Sequence, residues 1–219
     1  MHSFPHNHIV RSVAFSPTAS HLLTGGQEKK VRVFDLRRPD ADPEFMGGAG
    51  GTTAHEGTVK SVVWINDFNG VTAGEDGTVK CVLWIDMTRI VVNISLCRWW
   101  DIRTNGPTST QNFSGPVTSM ELSVATSTLV LTSGQTVSFL PALPSAKPSH
   151  KVVLPYSPSS ASLHPTLGDR FVAGSTGDQW VRVHGMSGEE REVLKGHHGP
   201  VHCVEYSPDG EMYASGSGT

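Results

Sequence analysis

Cysteine is scarce in this chain, with three in 219 residues. Three thiols cannot staple a disulfide scaffold, so a packed core is expected to hold the fold, in a reducing intracellular compartment. An excess of charge of one sign is also missing. Seventeen Lys and Arg stand against 20 Asp and Glu, for a formal net charge of -3. Neither a basic face for nucleic acid nor an acidic tail is indicated. Residues 1–10 lack the cationic stretch and apolar run of a secretory leader. The longest apolar run, residues 82–96, is broken by Asp86 and Arg89 and is too short to span a bilayer.

Glycine and proline are plentiful, at 23 and 14. So many helix breakers disfavour a helical bundle and suit an all-β fold rich in turns. Hydrophobic residues make up 37% and charged residues 17%, enough apolar mass for a real core. The length suits one large domain.

The chain repeats itself, which is the first signal to seek in such a composition. Residues 6–17, 55–64, 114–120 and 196–210 each turn, reach a valine (Val10, Val59, Val117, Val201) and then alternate, as a half-buried strand does. Residues 23–35, 71–80 and 171–183 follow as strand, glycine-bearing turn with an acid (Glu28, Asp76, Asp178), and strand, a β-hairpin signature. Val10 to Val59 is 49 residues, Val59 to Val117 is 58 and Val117 to Val201 is 84. A period of about 42 divides the 84 into two, with a degenerate step near residues 157–164. The proline- and glycine-rich loop at residues 39–51 accounts for the 49. The 58, and the 102 residues from Asp76 to Asp178, both overshoot by the same 18 residues between Asp76 and Val117.

These features resemble the WD-repeat family, whose repeats run from a Gly-His start to a Trp-Asp end. Gly196-His197 matches the start. Trp100-Asp101 and the diverged Phe34-Asp35 match the end, and Ser207-Pro208-Asp209-Gly210 and Tyr213-Ala214-Ser215-Gly216-Ser217 are also family-like. The family pattern runs Asp-Gly-Thr-Val-Lys straight into x-Trp-Asp. Here Asp76-Gly77-Thr78-Val79-Lys80 is followed by residues 81–98 and only then by Trp99-Trp100-Asp101. Those 18 residues are read as a non-native insertion within a blade. Back-translation permits a GT opening across Lys80 and Cys81 and a pyrimidine-AG close across Cys97 and Arg98. A retained short intron therefore fits the segment, and a real loop insertion inside a strand is the alternative.

The resemblance implies a seven-bladed propeller with four antiparallel strands per blade. Seven blades need about 294 residues, and about 200 remain here outside the insertion. The expectation is an incomplete all-β WD-repeat propeller over residues 1–219, four to five of seven blades, opening in what resembles the third blade. Such a piece lacks about two leading blades and the closing strands. It is expected to form an open arc with two exposed sheet edges and to be marginally stable alone.

The resemblance also assigns the polar residues. His55, Asp76 and Trp100 belong to a structural hydrogen-bond network, with His6, Glu28 and Phe34 as the diverged set of the first blade. Asp178 and His197 belong to later sets. No catalytic, cofactor or metal site is read. His198 and His202 are four apart, but on a strand entry that separation is roughly 13 Å. Gly47-Gly48-Ala49-Gly50-Gly51 lacks the lysine that a phosphate loop requires. No Gly-x-Ser-x-Gly is present. Lys29, Lys30, Arg32, Arg37 and Arg38 read as a solvated face, and proline-rich residues 141–158 as an outer loop region.

His8-Ile9-Val10, residues 22–27, residues 161–165 and, above all, residues 199–217 resemble a cytoplasmic and nuclear adaptor of the family. That likeness implies a non-enzymatic scaffold whose partners are other proteins. Its place would be with the survival-of-motor-neuron complex that assembles spliceosomal ribonucleoproteins. No cofactor, membrane, small-molecule substrate or direct nucleic-acid contact is implied. The alternatives are a scaffold like subunit i of translation initiation factor 3 and, more remotely, a propeller enzyme. Sequencing the spliced transcript across Lys80 tests the insertion. Mature message lacking the 18 codons is expected, and their presence in every message would contradict the intron reading.

Overall fold

The computed structural model describes residues 2–46, 53–67, 69–82, 100–101, 106–107, 110–113, 115–143 and 148–218; of residues 78–82, 100, 101, 106, 107 and 110 it describes the backbone alone. The glycine-rich segment 47–51 and residues 83–98 of the insertion lie outside the described residues. Among the described residues every regular element is a strand.

A β-branched residue after a turn favours extended backbone, and four of the first strands start on one. Val10, Val59, Val117 and Val201 open β1 (Val10–Phe15), β5 (Val59–Asn66), β11 (Val117–Ser123) and β19 (Val201–Tyr206). The degenerate step falls at Pro158, 41 residues after Val117 and 43 before Val201, where β15 (Pro158–Leu163) begins.

The chain forms two units, Met1–Val117 and Thr118–Thr219. In the first, β1, β2 (His21–Gly26), β3 (Val31–Asp35) and β4 (Glu44–Met46) make an antiparallel sheet in that order. Its second sheet is β5, β6 (Asn69–Gly74), β7 (Thr78–Val82) and, after an intervening hairpin, β10 (Thr110–Asn112). That hairpin pairs β8 (Trp100–Asp101) with β9 (Gly106–Pro107).

The second unit holds β11, β12 (Thr128–Ser133), β13 (Thr136–Pro141) and β14 (His150–Val153) in one sheet. A second joins β15, β16 (Arg170–Ser175), β17 (Trp180–Gly185) and β18 (Glu190–Lys195), and β19 pairs with β20 (Tyr213–Ser217). One expectation shifts. The segment read as an outer loop contains the strand β14, because alternating His150-Lys151-Val152-Val153 puts Val152 into the core at 4% exposure. The repeat that opens at Val117 forms a complete four-stranded sheet. Its β12–β13 turn needs no acid, since Gly134 takes the left-handed conformation (φ 57°) between paired Ser133 and Thr136.

One irregularity recurs. The first strand bulges between its first and third residues at Val10/Ser12, Val59/Ser61, Pro158/Ser160 and Val201/Cys203. A bulge sharpens the twist and re-aims side chains, so the opening residue and the two residues past the bulge reach the neighbouring sheet. In the first unit, Val59, Val62 and Trp64 pack onto Leu23, Val31, Val33 and Met46 of the preceding sheet. In the second, Val201 and Val204 pack onto Val172, Val181 and Val183. Val130, Phe139 and Leu154 join Leu163 and Phe171 in a further cluster there.

Glycine is required where the opening valine lands. A Cβ on Gly25 would lie 2.5 Å from Val59 Cγ1, and one on Gly174 would lie 2.4 Å from Val201 Cγ1. Hydroxyls then stitch the sheets. Ser12 Oγ accepts the Val62 amide at 3.0 Å, Ser160 Oγ accepts the Val204 amide at 3.3 Å, and Ser159 Oγ donates to the Val201 carbonyl at 2.6 Å. Valine is stiff at χ1, so it cannot swing clear of an added methyl. Gly174→Ala is therefore expected to cost about 1–3 kcal/mol in urea unfolding; an unshifted midpoint would contradict the interlock.

Candidate functional site

Of the residues singled out from the sequence, Glu28, Asp76 and Asp178 stand in the turns between second and third strands. His55 sits four residues before Val59, just ahead of β5, and is 1% exposed. Its Nδ1 lies 3.2 and 3.1 Å from the two carboxylate oxygens of Asp76, and its Nε2 lies 2.9 Å from Thr72 Oγ1. A carboxylate only accepts, so Nδ1 carries the proton and a neutral ring leaves Nε2 to accept from the threonine hydroxyl. Asp76 also accepts the Glu56 amide at 2.8 Å, which binds the start of the blade to its turn. The backbone of Trp100 pairs with Pro107 in the separate β8–β9 hairpin, and its side chain lies outside the described residues.

Hydroxyl, imidazole and carboxylate thus line up as they do in a hydrolase. Accessibility separates the two cases. Thr72 is 0% exposed, so no carbonyl carbon can reach its oxygen, and a nucleophile must meet its substrate.

The first blade uses the same places differently. His6 Nδ1 donates to the Phe4 carbonyl at 2.9 Å and Nε2 meets Thr24 Oγ1 at 2.9 Å. Phe34 packs against His6, with ring centroids 5.6 Å apart. Glu28 accepts from the Asn7 and His8 amides, at 2.6 and 3.1 Å, and from Arg32. Burial alone would raise the Glu28 carboxyl, but the Arg32 guanidinium and the two amides more than offset it and hold it below its ordinary value. Lys29 then takes the left-handed conformation (φ 61°) that Gly77 takes (φ 71°) after Asp76. In the last sheet, His197 Nε2 lies 2.7 Å from Ser215 Oγ.

Asp178 meets no histidine, because Leu154, 2% exposed, fills the histidine place four residues before Pro158. It accepts instead from Arg182 Nη2 at 2.7 Å and from the Trp180 amide at 3.1 Å. Arg182 stacks over Tyr156 and Trp180, 4.3 and 4.9 Å from their ring centroids. His184 takes the third-strand place that Phe34 holds in the first blade. Its Nε2 lies 2.8 Å from the Tyr156 hydroxyl and its ring stacks on Phe171. Burial pushes the His184 imidazole down.

Arg32, Arg182, Thr24, Thr72, Ser215, Tyr156 and His184 complete these networks and were missed from sequence. Two signals were available: Val-Arg-Val at both 31–33 and 181–183, and a hydroxyl residue 17 or 18 positions after His6, His55 and His197. Among the described residues, no group of three or more His, Cys, Asp or Glu could hold a metal ion.

Comparison with known proteins shows what these features are similar to. Residues 1–35, 50–82 and 188–218 match the WD domain, G-beta repeat. The serine-threonine kinase receptor-associated proteins of Mus musculus and Homo sapiens are 37% and 36% identical to the chain over 97% of its length. The protein of that name from Dictyostelium discoideum is 38% identical over 98%. The chain spans about half the length of the mammalian relatives (53%) and 65% of the Dictyostelium one.

Removing the Asp76 carboxylate strips His55 and the Glu56 amide of this acceptor inside the protein. Asp76→Ala is expected to cost about 1–3 kcal/mol in chemical unfolding, and Thr72→Val about 1 kcal/mol; an Asp76→Ala chain as stable as its parent would contradict the network. Glu121 on β11 accepts from Ser162 Oγ at 2.9 Å. Burial, with the nearby Glu205 charge, pushes its carboxyl up from 4.5 to about 7. A raised value means that the folded state favours the protonated acid. This contribution is full below the ordinary carboxylate range and is lost as pH rises through about 7. Glu121→Gln is therefore expected to gain on the parent between pH 5 and 8, by up to roughly 3 kcal/mol. Parallel stability curves would contradict that environment.

Proposed function

Because the chain is a WD-repeat protein, whose folded blades spend their most distinctive polar residues on their own turns, we propose that it acts as a non-enzymatic scaffold for assembling protein complexes. The observation that carries this reading is the inward direction of the chemistry. Thr72, His55 and His184 are 0%, 1% and 1% exposed, so the hydroxyl–imidazole groups that most resemble a catalytic row are bonded within their blades. Loops on rigid sheets face solvent, and such loops are where a repeat scaffold carries its partner contacts. The near-balanced charge suits protein partners better than a nucleic-acid backbone.

The relatives are named as associated with a kinase receptor. A Dictyostelium protein carries that name as well as mammalian ones. We read the shared role as complex assembly in cytoplasm and nucleus, with the survival-of-motor-neuron machinery that loads Sm proteins onto spliceosomal RNAs. A pull-down with the full-length gene product, probed for Sm proteins with small nuclear RNA and for small ribosomal subunits, tests this. Sm proteins without ribosomes are expected. Ribosomal enrichment would replace the reading with a translation-initiation scaffold.

A further inference from the structure

In the second unit the first strands run side by side. Ser119 and Glu121 of β11 bond Ser160 and Ser162 of β15, at 3.4 and 2.9 Å, each pair 41 residues apart. Ser160 and Ser162 in turn accept the amides of Val204 and Tyr206 on β19, at 3.3 and 3.0 Å, each pair 44 residues apart. A constant offset means that the strands run in the same direction. The loops that leave them, residues 124–127, 164–169 and 207–212, therefore come out at one end. They also touch. A Cβ on Gly168 would lie 3.8 Å from Thr126 Cγ2, and one on Gly210 would lie 2.4 Å from the His164 ring. The Ala142 amide donates to the Ser127 carbonyl at 2.7 Å, which brings the chain leaving β13 to the same place.

Among the described residues of this unit, seven large apolar side chains are exposed. Four of them, Val124, Leu143, Leu167 and Met212, stand at this end and are 60–78% exposed. Exposed apolar residues scattered singly are ordinary, whereas a row of them on adjoining loops marks a contact surface. The free charge beside them has one sign. Arg170 is held by Asp169 at 2.9 Å, and Arg191 by Asp169 and Glu189 at 3.3 and 3.1 Å. Asp209 accepts from the Ser207 hydroxyl and the Glu211 amide, neither of which cancels its charge. Glu211 lies exposed next to Met212. The cations at this end are engaged, and the acids around Met212 keep their charge.

We propose that this end of the second unit is a docking surface for a segment of another protein that carries apolar side chains with lysine or arginine beside them. The proposal rests on the scaffold reading and names where on the scaffold one partner sits. The apolar side chains of such a segment lie on Val124, Leu167 and Met212, and its cations meet Asp209 and Glu211. The same acids repel the phosphates of a nucleic acid or of an anionic lipid surface. The loops already brace one another, so little freedom is lost when the segment docks.

The test titrates the full-length gene product with a short fluorescent peptide of alternating Leu and Lys, and with one of alternating Leu and Glu. The Leu/Lys peptide is expected to bind, more weakly as salt is added, and the Leu/Glu peptide is not. Leu167→Ser with Met212→Ser is expected to weaken binding by roughly tenfold or more. Glu211→Lys is expected to weaken it with the apolar row intact. Val153→Ser removes an exposed valine at the opposite end of its sheet, across from Thr136, and is expected to leave binding unchanged. Equal binding of the two peptides, or an equal loss in Val153→Ser and the double variant, would overturn the surface. The pull-down of Sm proteins by the parent is read separately. Absence of peptide binding with Sm capture intact overturns this surface alone, and failure of both overturns the scaffold reading with it.

Discussion

The structure depends on one requirement: a four-stranded sheet has two faces, and one blade cannot bury its own. Within each unit one face is covered by the first strand of the sheet that follows in sequence, and the local details follow from that contact. The opening Val59 and Val201 need somewhere to land, so Gly25 and Gly174 carry no side chain. The bulge after the opening residue turns Val62 and Val204 toward the neighbour's core, where both are nearly fully buried. Bringing two sheets this close also buries backbone amides that have no strand beside them, and Ser12 and Ser160 answer them with hydroxyls. Trp64 solves the same problem from the other side, donating its indole N–H to the Ala14 carbonyl at 3.0 Å.

The polar networks are the second consequence. Each second-to-third-strand turn sits at a sheet end, where ladder hydrogen bonds run out. A buried histidine held between a hydroxyl on the second strand and an acid in the turn closes that end in the second blade. The first blade passes the acid to Arg32, and the fourth dispenses with the histidine and joins Asp178 to Arg182 under Tyr156. These solutions share a geometry rather than residue identities. Their common product is a stiff turn, which is why a triad-like row of atoms at Thr72, His55 and Asp76 reads as architecture. A scaffold requires such stiffness, because a loop held on a rigid turn loses less freedom when a partner binds.

Much of this was legible in the sequence. Period, hairpins and the first-strand valines came from spacing and alternation, since a strand facing a core repeats every second residue whatever its neighbours are. Pro158 was harder, because it replaces the valine that marks the other starts, and only its distance from Val117 and Val201 gives it away. Strand β14 was read as loop because its prolines flank the strand rather than interrupt it. Arg32 and Arg182 were taken for surface charge or passed over. A cation four residues after an acid usually lies in water on a helix, whereas on these turns it folds back over an aromatic ring. The place of His184 was invisible without register, since nothing in His-Gly-Met marks it as standing where Phe34 stands.

The central claim is that within each unit the sheets are joined through their first strands, by side chains reaching across rather than by a shared ladder. Amide hydrogen exchange at Val62 and Val204 tests it most directly. Each of these amides donates to a serine of the neighbouring sheet. The account predicts that they exchange as slowly as the amides inside the second strands. It also predicts that Ser12→Ala and Ser160→Ala each speed only the amide they serve, Val62 and Val204 respectively, with the hairpin amides unmoved. Fast, loop-like exchange at Val62 and Val204 in the parent protein would contradict it.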